Sequence, residues 1–260
     1  MTLNENEESN ISHWFTHDDR LPTGVGDHDD QIIDGAPVNM TRYKALFVEA
    51  EEKMFDSDIY YDVNREGYRC APFENIDYNK IQIITAGCSF TFGMGIPEGH
   101  QWPSVLAKKF PETFQVWNLG IPGLSNDAIV RTISAFCKYI KPAFIFLQWT
   151  HFNRREYVRS NNTLQRILPN HPKYHNDTSF AAKGFFGMQN EYFDLYCFEK
   201  NLMFMYYLTK AFSINFIWEE IRNFPELDIT RDEHHPGIKS HKEFADIMYK
   251  KYEKNINPGM

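Results

Sequence analysis

From Lys80 onward two hydrophobic patterns alternate along the chain. Short apolar runs rich in β-branched and aromatic residues stand at Ile81–Ala86, Phe114–Leu119, Ala143–Leu147 and Ile214–Trp218, each of strand length. The third has no polar position, as expected of a strand buried on both faces of a parallel sheet. Between the runs the spacing becomes helical. Trp102–Lys109 carries Pro103 at a helix-opening position, and Ile129, Ile133, Phe136 and Ile140 recur at intervals of 4, 3 and 4 residues, behind a capping Ser125 and ahead of Pro142. Glu191 to Ala211 and Lys239 to Tyr252 predict two more helices, the last with Phe244, Ile247 and Met248 inward. Four alternations of strand and helix imply parallel strands joined by right-handed crossovers, an α/β chain folded as a three-layer α/β/α sandwich with a mostly parallel sheet. Functional groups in such sheets gather at the carboxyl ends of the strands. Here those ends carry Gly87-Cys88-Ser89, Gly120 to Gly123 and Trp149 to Asn153.

Residues 1–78 lack this alternation and are expected to form an N-terminal extension to a domain spanning 79–260. Residues 1–35, rich in Asp, Asn, His and Gly, read as a polar arm that gains order by docking on something else, another copy of the chain included. Thr41 to Phe55, with Tyr43, Leu46, Phe47 and Met54 among Lys and Glu, predicts a short helix, and Tyr60 to Arg69 a strand, a turn and a second strand. A stretch of about forty residues, 151–190, is inserted in the domain; an insertion this long is a candidate lid or substrate-facing segment.

The 260 residues suffice for a full core, and 42% hydrophobic with 24% charged residues excludes wholesale disorder or a fibrous repeat. A net charge of -8 removes any general attraction to nucleic acid or anionic lipid. No apolar run approaches the roughly 20 residues of a membrane span, and the acidic, polar start is unlike a secretory signal. Cys70, Cys88, Cys137 and Cys197 form no CxxC pair. Reduced thiols in a cytoplasmic protein are therefore expected, with association with a viral particle as the alternative. Phe (22), Tyr (14) and Trp (5) are abundant enough to mean an aromatic-rich core, or else rings lining a cleft.

Gly87-Cys88-Ser89-Phe90-Thr91 follows the first strand directly, where a serine can present both hydroxyl and backbone N–H and glycine tolerates a sharp backbone path. A serine nucleophile needs a base. Arg231-Asp232-Glu233-His234-His235-Pro236 supplies one before the last helix: Asp232 and His235 are three apart, close enough for a carboxylate to orient an imidazole. Together with Asn118-Leu119-Gly120-Ile121-Pro122-Gly123, these segments resemble the blocks of the SGNH, or GDSL-type, hydrolase family over about residues 80–252. Cys88 stands where that family usually has Asp. The resemblance implies a flavodoxin-like fold and an esterase, with Ser89 as nucleophile, His235 as base and Asp232 as its orienter. It further implies an oxyanion hole from the N–H groups of Ser89 and Gly123 and from a third-block side chain. That block is Gly-x-Asn-Asp in the family and Gln148-Trp149-Thr150-His151-Phe152-Asn153-Arg154 here, so Asn153, His151 or Thr150 is the candidate, with Thr150, His151 and Arg154 facing substrate. A short-chain ester, with O-acetylated carbohydrate first, is the implied substrate, and no metal or organic cofactor is required. The alternatives are a binding or assembly module on the same fold and a lipase or thioesterase.

Other motifs carry less. Gly93, Gly95 and Gly99 miss the dinucleotide pattern, and Gly87 to Gly93 lacks the P-loop lysine. His171 and His175 flank Pro172 and share no helical metal face. His13, His17 and their acidic neighbours suit a solvated arm, His234 is a neighbour of His235, and Arg154, Arg155, Arg159 and Arg166 read as a solvated helix face.

Overall fold

The structure is a computed structural model that describes residues 31–33, 36–44, 59–158, 164–167, 184, 187, 190–230 and 234–256. In chain order the strands are β1 (Gln31–Ile33), β2 (Met40–Lys44), β3 (Tyr60–Asn64), β4 (Ile81–Ala86), β5 (Phe114–Asn118), β6 (Phe144–Trp149), β7 (Arg155–Val158), β8 (Leu164–Ile167) and β9 (Asn215–Glu220). The helices are α1 (Ser89–Phe92), α2 (Trp102–Ala107), α3 (Asn126–Ile140), α4 (Glu191–Ala211) and α5 (Ile238–Ile256). Strands β5, β4, β6 and β9 lie side by side in that order, all parallel. The expected α/β sandwich is present.

Its two cores follow from the period of 2 along each strand. Ile83, Phe144, Phe146 and Ile217 face α2 and α5, packing with Trp102, Leu106, Phe244 and Met248. Ile84, Ile145 and Leu147 point the other way, toward Ile129, Ile133 and Phe136 of α3 and Phe198 and Met205 of α4. Ile247, expected inward, is only half-buried. Rings account for much of this packing: Phe110 lies within 6.0 Å of Phe114, Phe146, Tyr249 and Tyr252. Helix α3 starts where predicted, with the Ser125 side chain accepting from the Ala128 N–H. Among the described residues no helix is long and apolar enough to cross a membrane.

Upstream of the sandwich, β1, β2 and β3 form an antiparallel sheet. The helix expected from Thr41 is not found over 41–44, which belong to β2; residues 45–58 lie outside the described set. Cross-strand partners decide against local propensity here. Arg42 pairs with Asp62 at 2.6 Å, and Tyr43 joins Ile59, Tyr61 and Val63 in a small core that also takes Phe92 and Met94 from the sandwich. The second strand expected near Arg69 is also missing. After a turn in which the Asn64 side chain accepts from the Tyr68 N–H at 2.8 Å, the chain leaves the sheet and Arg69 turns into the sandwich.

Helix α2 begins against α5 through one buried imidazole. The N–H of Trp102, in the first turn and without an intrahelical partner, donates to Nδ1 of His241 at 3.0 Å. That bond requires a neutral ring. Burial, with the nearby Arg69 and His235 charges adding to it, lowers His241 from 6.5 to about 3. The unfolded chain therefore binds a proton that the folded chain does not, between about pH 6.5 and 3, and stability falls as pH drops through that window. His241→Asn keeps an acceptor near Nδ1 without the titration. Denaturant unfolding at a series of pH values is expected to show the wild type losing about 1.4 kcal/mol per pH unit more than the variant between pH 6 and 4.

Candidate active site

The loop leaving β4 is built by close approach. A Cβ on Gly87 would lie 2.1 Å from Oγ1 of Thr91, and one on Gly120 would lie 2.5 Å from the Phe92 backbone nitrogen. Glycine at both positions lets the loops after β4 and β5 lie against each other. Asn118 then ties them: its Nδ2 donates to the Thr91 carbonyl at 3.1 Å while its Oδ1 accepts from the Gly120 N–H at 2.9 Å. Thr91, fully buried, donates to Oε1 of Gln148 at 2.8 Å and accepts from the Trp102 indole at 3.3 Å. The result is α1, a helix of four residues beginning with Ser89, whose own N–H needs no partner inside the helix. Sequence patterning reads this segment as a turn. Ser89 is 7% exposed, and Gly123, φ +73°, follows Pro122 in a tight turn of the second loop.

Arg69 closes the other end of α1. Its guanidinium is fully buried; Nη1 donates to the carbonyls of Phe92 (3.2 Å) and Gly93 (2.8 Å), Nη2 to Ile96 (2.9 Å), and Nε to Glu98 (3.1 Å). The ring of Tyr61 lies 4.7 Å from the guanidinium carbon, and the Tyr61 hydroxyl accepts from the Gly95 N–H at 2.8 Å. Gly95 in turn lies against Thr230, which a Cβ would approach to 2.5 Å. Thr230 donates its N–H to the His235 carbonyl at 2.8 Å, and Ile229 bridges Pro236, so the loop carrying His235 is closed at its base. The imidazole of His235 packs edge-on to Phe90, with ring centroids 5.7 Å apart. Phe90 follows Ser89 directly. Asp232 lies outside the described residues; the nearby Asp228 is committed to the start of α5, accepting from the N–H groups of Lys239 and Ser240 at 2.9 Å each.

The third loop is stitched to the second. Asn126, at the start of α3, accepts from the Thr150 N–H (2.9 Å) and donates to its carbonyl (3.2 Å). The buried Thr150 hydroxyl accepts from Arg154 at 2.9 Å. Both polar ends of Thr150 and the Arg154 guanidinium are thereby used in holding the turn. The turn over His151 to Arg154 leaves His151 at the surface and Asn153 half-buried. Although part of its ring meets solvent, neighbouring protein atoms and Arg154 lower His151 to about 4, so it is neutral at pH 7. The solvated helix expected for the arginines is replaced by a strand: Arg155 is buried and paired with Asp194 at 2.7 Å. Arg159 and the Arg166 side chain lie outside the described residues.

Among the described residues no three His, Cys, Asp or Glu side chains gather as metal ligands. The four cysteines are free, and burial pushes Cys137 up to about 12. Arg69, Tyr61 and Asn126 were not singled out by patterning; the one usable signal was an arginine set in the aromatic run Tyr68-Arg69-Cys70-Ala71-Pro72-Phe73.

No protein-family model and no curated protein matches the chain. Solved structures similar to it include members of the G-D-S-L lipolytic family and esterases. The psychrotrophic esterase EstA from Pseudoalteromonas sp., inhibited by monoethylphosphonate, matches with a TM-score of 0.44 and 14% identity over 68% of this chain and 98% of that one. A member of the lipolytic protein G-D-S-L family from Veillonella parvula matches at 0.32 and 16%, over 69% and 100%. The acetyl xylan esterase Est2A from Butyrivibrio proteoclasticus matches at 0.37 and 13%, over 76% of this chain and 66% of that one.

Replacing Arg69 by Met strips the buried carbonyls of Phe92 and Ile96 of their donor and leaves that of Gly93 with the Ile96 N–H alone. Chemical denaturation is expected to show a loss of about 3 to 5 kcal/mol. Arg69→Lys should recover only part of it, and Glu98→Gln, at the exposed end of the same pair, should cost less than about 1 kcal/mol.

Proposed function

We propose that the chain is a serine ester hydrolase, with Ser89 as nucleophile, His235 as general base and Asp232 as the group that orients the imidazole. The observation that carries this reading is the packing of His235 against Phe90, ring centroids 5.7 Å apart, which brings an imidazole from the far end of the chain beside the residue next to Ser89. In the proposed reaction the Ser89 oxygen attacks the ester carbonyl while His235 takes its proton. The N–H groups of Ser89 and Gly123, supplemented from the His151–Asn153 turn, meet the developing oxyanion. His235 returns the proton to the departing alkoxide. Water, deprotonated by His235, then attacks the acyl-serine; collapse of that intermediate returns the proton to Ser89 and frees the acid.

A nucleophile only 7% exposed favours a short acyl group, and an O-acetyl ester of a carbohydrate keeps the bulk of the alcohol outside. The test is labelling by a fluorophosphonate probe together with turnover of acetyl, butyryl and long-chain esters. Labelling at Ser89 and a preference for acetyl are expected, with Ser89→Ala abolishing the label and lowering turnover at least about 1000-fold. Wild-type protein that neither labels nor hydrolyses any ester in the panel would overturn the reading.

A further inference from the structure

Helix α4 is apolar on two opposite faces. One face, Cys197, Phe198, Asn201, Met205 and Thr209, is buried on the sandwich. About half a turn away Tyr192 is 86% exposed, Tyr196 and Tyr207 63% each, Met203 57%, Tyr206 53% and Leu195 45%. At roughly 200 Å² per large side chain these six leave about 700 Å² uncovered, close to the roughly 800 Å² that each partner contributes to a stable interface. Beside them, between α4 and the edge strand β9, runs a groove of about 420 Å³ lined by Leu202, Met203, Tyr206, Tyr207, Phe216 and Trp218.

The spacing of this face selects its occupant. Tyr192, Tyr196, Glu199, Met203, Tyr206 and Lys210 follow one another at 4, 3, 4, 3 and 4 residues, a seam of the kind that packs against another helix. The seam is also self-complementary about residue 201. In an antiparallel pair related by a two-fold axis there, Tyr196 meets Tyr206 of the partner subunit, Leu195 meets Tyr207 of the partner subunit, and Glu199 meets Met203 of the partner subunit. At the ends Lys210, whose Nζ already lies 5.5 Å from the centre of the Tyr206 ring, comes over Tyr192 of the partner subunit. Five of the six exposed residues thus find an apolar, aromatic or cation–π partner, and Met203 lies against the aliphatic stem of Glu199 of the partner subunit, in the residue-for-residue reciprocity of an isologous interface. We propose that α4 is the dimerisation helix of this protein, its aromatic seam covered by the same seam of a second copy in antiparallel register.

Sedimentation of the full chain across the micromolar range tests this, with concentration-dependent dimers expected. Tyr196→Glu combined with Tyr206→Glu, both at exposed positions, should weaken association at least about 100-fold without changing the circular dichroism of the monomer. Glu199→Cys combined with Met203→Cys should give a covalent dimer on mild oxidation, with wild type as control. Tyr192→Cys alone should not, because the two copies of residue 192 would sit about 27 Å apart along the seam. A wild type that stays monomeric throughout would overturn the proposal, also if the glutamate substitutions lower its melting temperature, since the chain itself would then cover the face. Dimers that survive the double glutamate variant, or a cross-link through residue 192 in place of 199 and 203, would overturn the seam or its register.

Discussion

The arrangement around Ser89 depends on one buried cation. A helix of four residues has almost no internal hydrogen bonding, and the buried carbonyls at its end and in the turns that follow depend on donors from elsewhere. Arg69 supplies what they lack, spreading four N–H donors over the carbonyls of Phe92, Gly93 and Ile96 and the carboxylate of Glu98. A guanidinium suits this place better than an ammonium, because its planar fork reaches several fixed acceptors at once and tolerates the flanking rings of Tyr61 and Phe92. Burying the charge is costly by itself. Here nearly every donor is met and Glu98, half in solvent, balances the charge, so the cost is offset while the backbone path from Phe92 to Ile96 is fixed.

Residues ahead of the sandwich therefore help to hold the loops at the carboxyl edge of its sheet. Tyr61 fixes Gly95, Gly95 receives Thr230, and Thr230 holds the backbone of His235. Loops from three distant stretches of sequence meet at the carboxyl ends of β4, β5 and β6 because each is locked to its neighbour by a side chain or by a missing one. Asn118 and Asn126 bridge with both ends of their amides, while Gly87 and Gly120 permit contacts that any Cβ would block.

What could be read from the sequence and what could not divide along the same line. Periodicity reports burial, so the four strands, the capped helix α3 and helix α5 were legible from their apolar patterns, whereas α4, apolar on two faces, was legible only as a long stretch without Gly or Pro. The two failures upstream have a common cause. Thr41 to Lys44 has no strong helical or strand preference, and its state is set by Asp62 and Tyr61 across the sheet. Arg69 leaves an incipient hairpin because its acceptors lie more than twenty residues downstream. Such long-range polar contacts have no period. The residues Gly87, Ser89, Gly123 and His235 were legible as chemistry types, whereas the neighbours that hold them were not, since a single asparagine or threonine in a loop looks the same whether it bridges two loops or faces water.

A consequence for chemistry follows from how the side chains are spent. The Thr91 hydroxyl serves Gln148 and Trp102, the Thr150 hydroxyl takes Arg154, and the Asn118 and Asn126 amides each hold a backbone at both ends. Each such group is engaged in keeping a loop in place, and withdrawing it toward a reacting oxygen would undo the placement it provides. Backbone N–H groups at helix and turn starts, Ser89 and Gly123 foremost, carry no such obligation in regular structure. On the proposed reading, developing negative charge would fall chiefly to the main chain, whose fixed orientation needs no rearrangement as charge develops. That is why the packing of α1, a structural matter, bears directly on any reaction at Ser89.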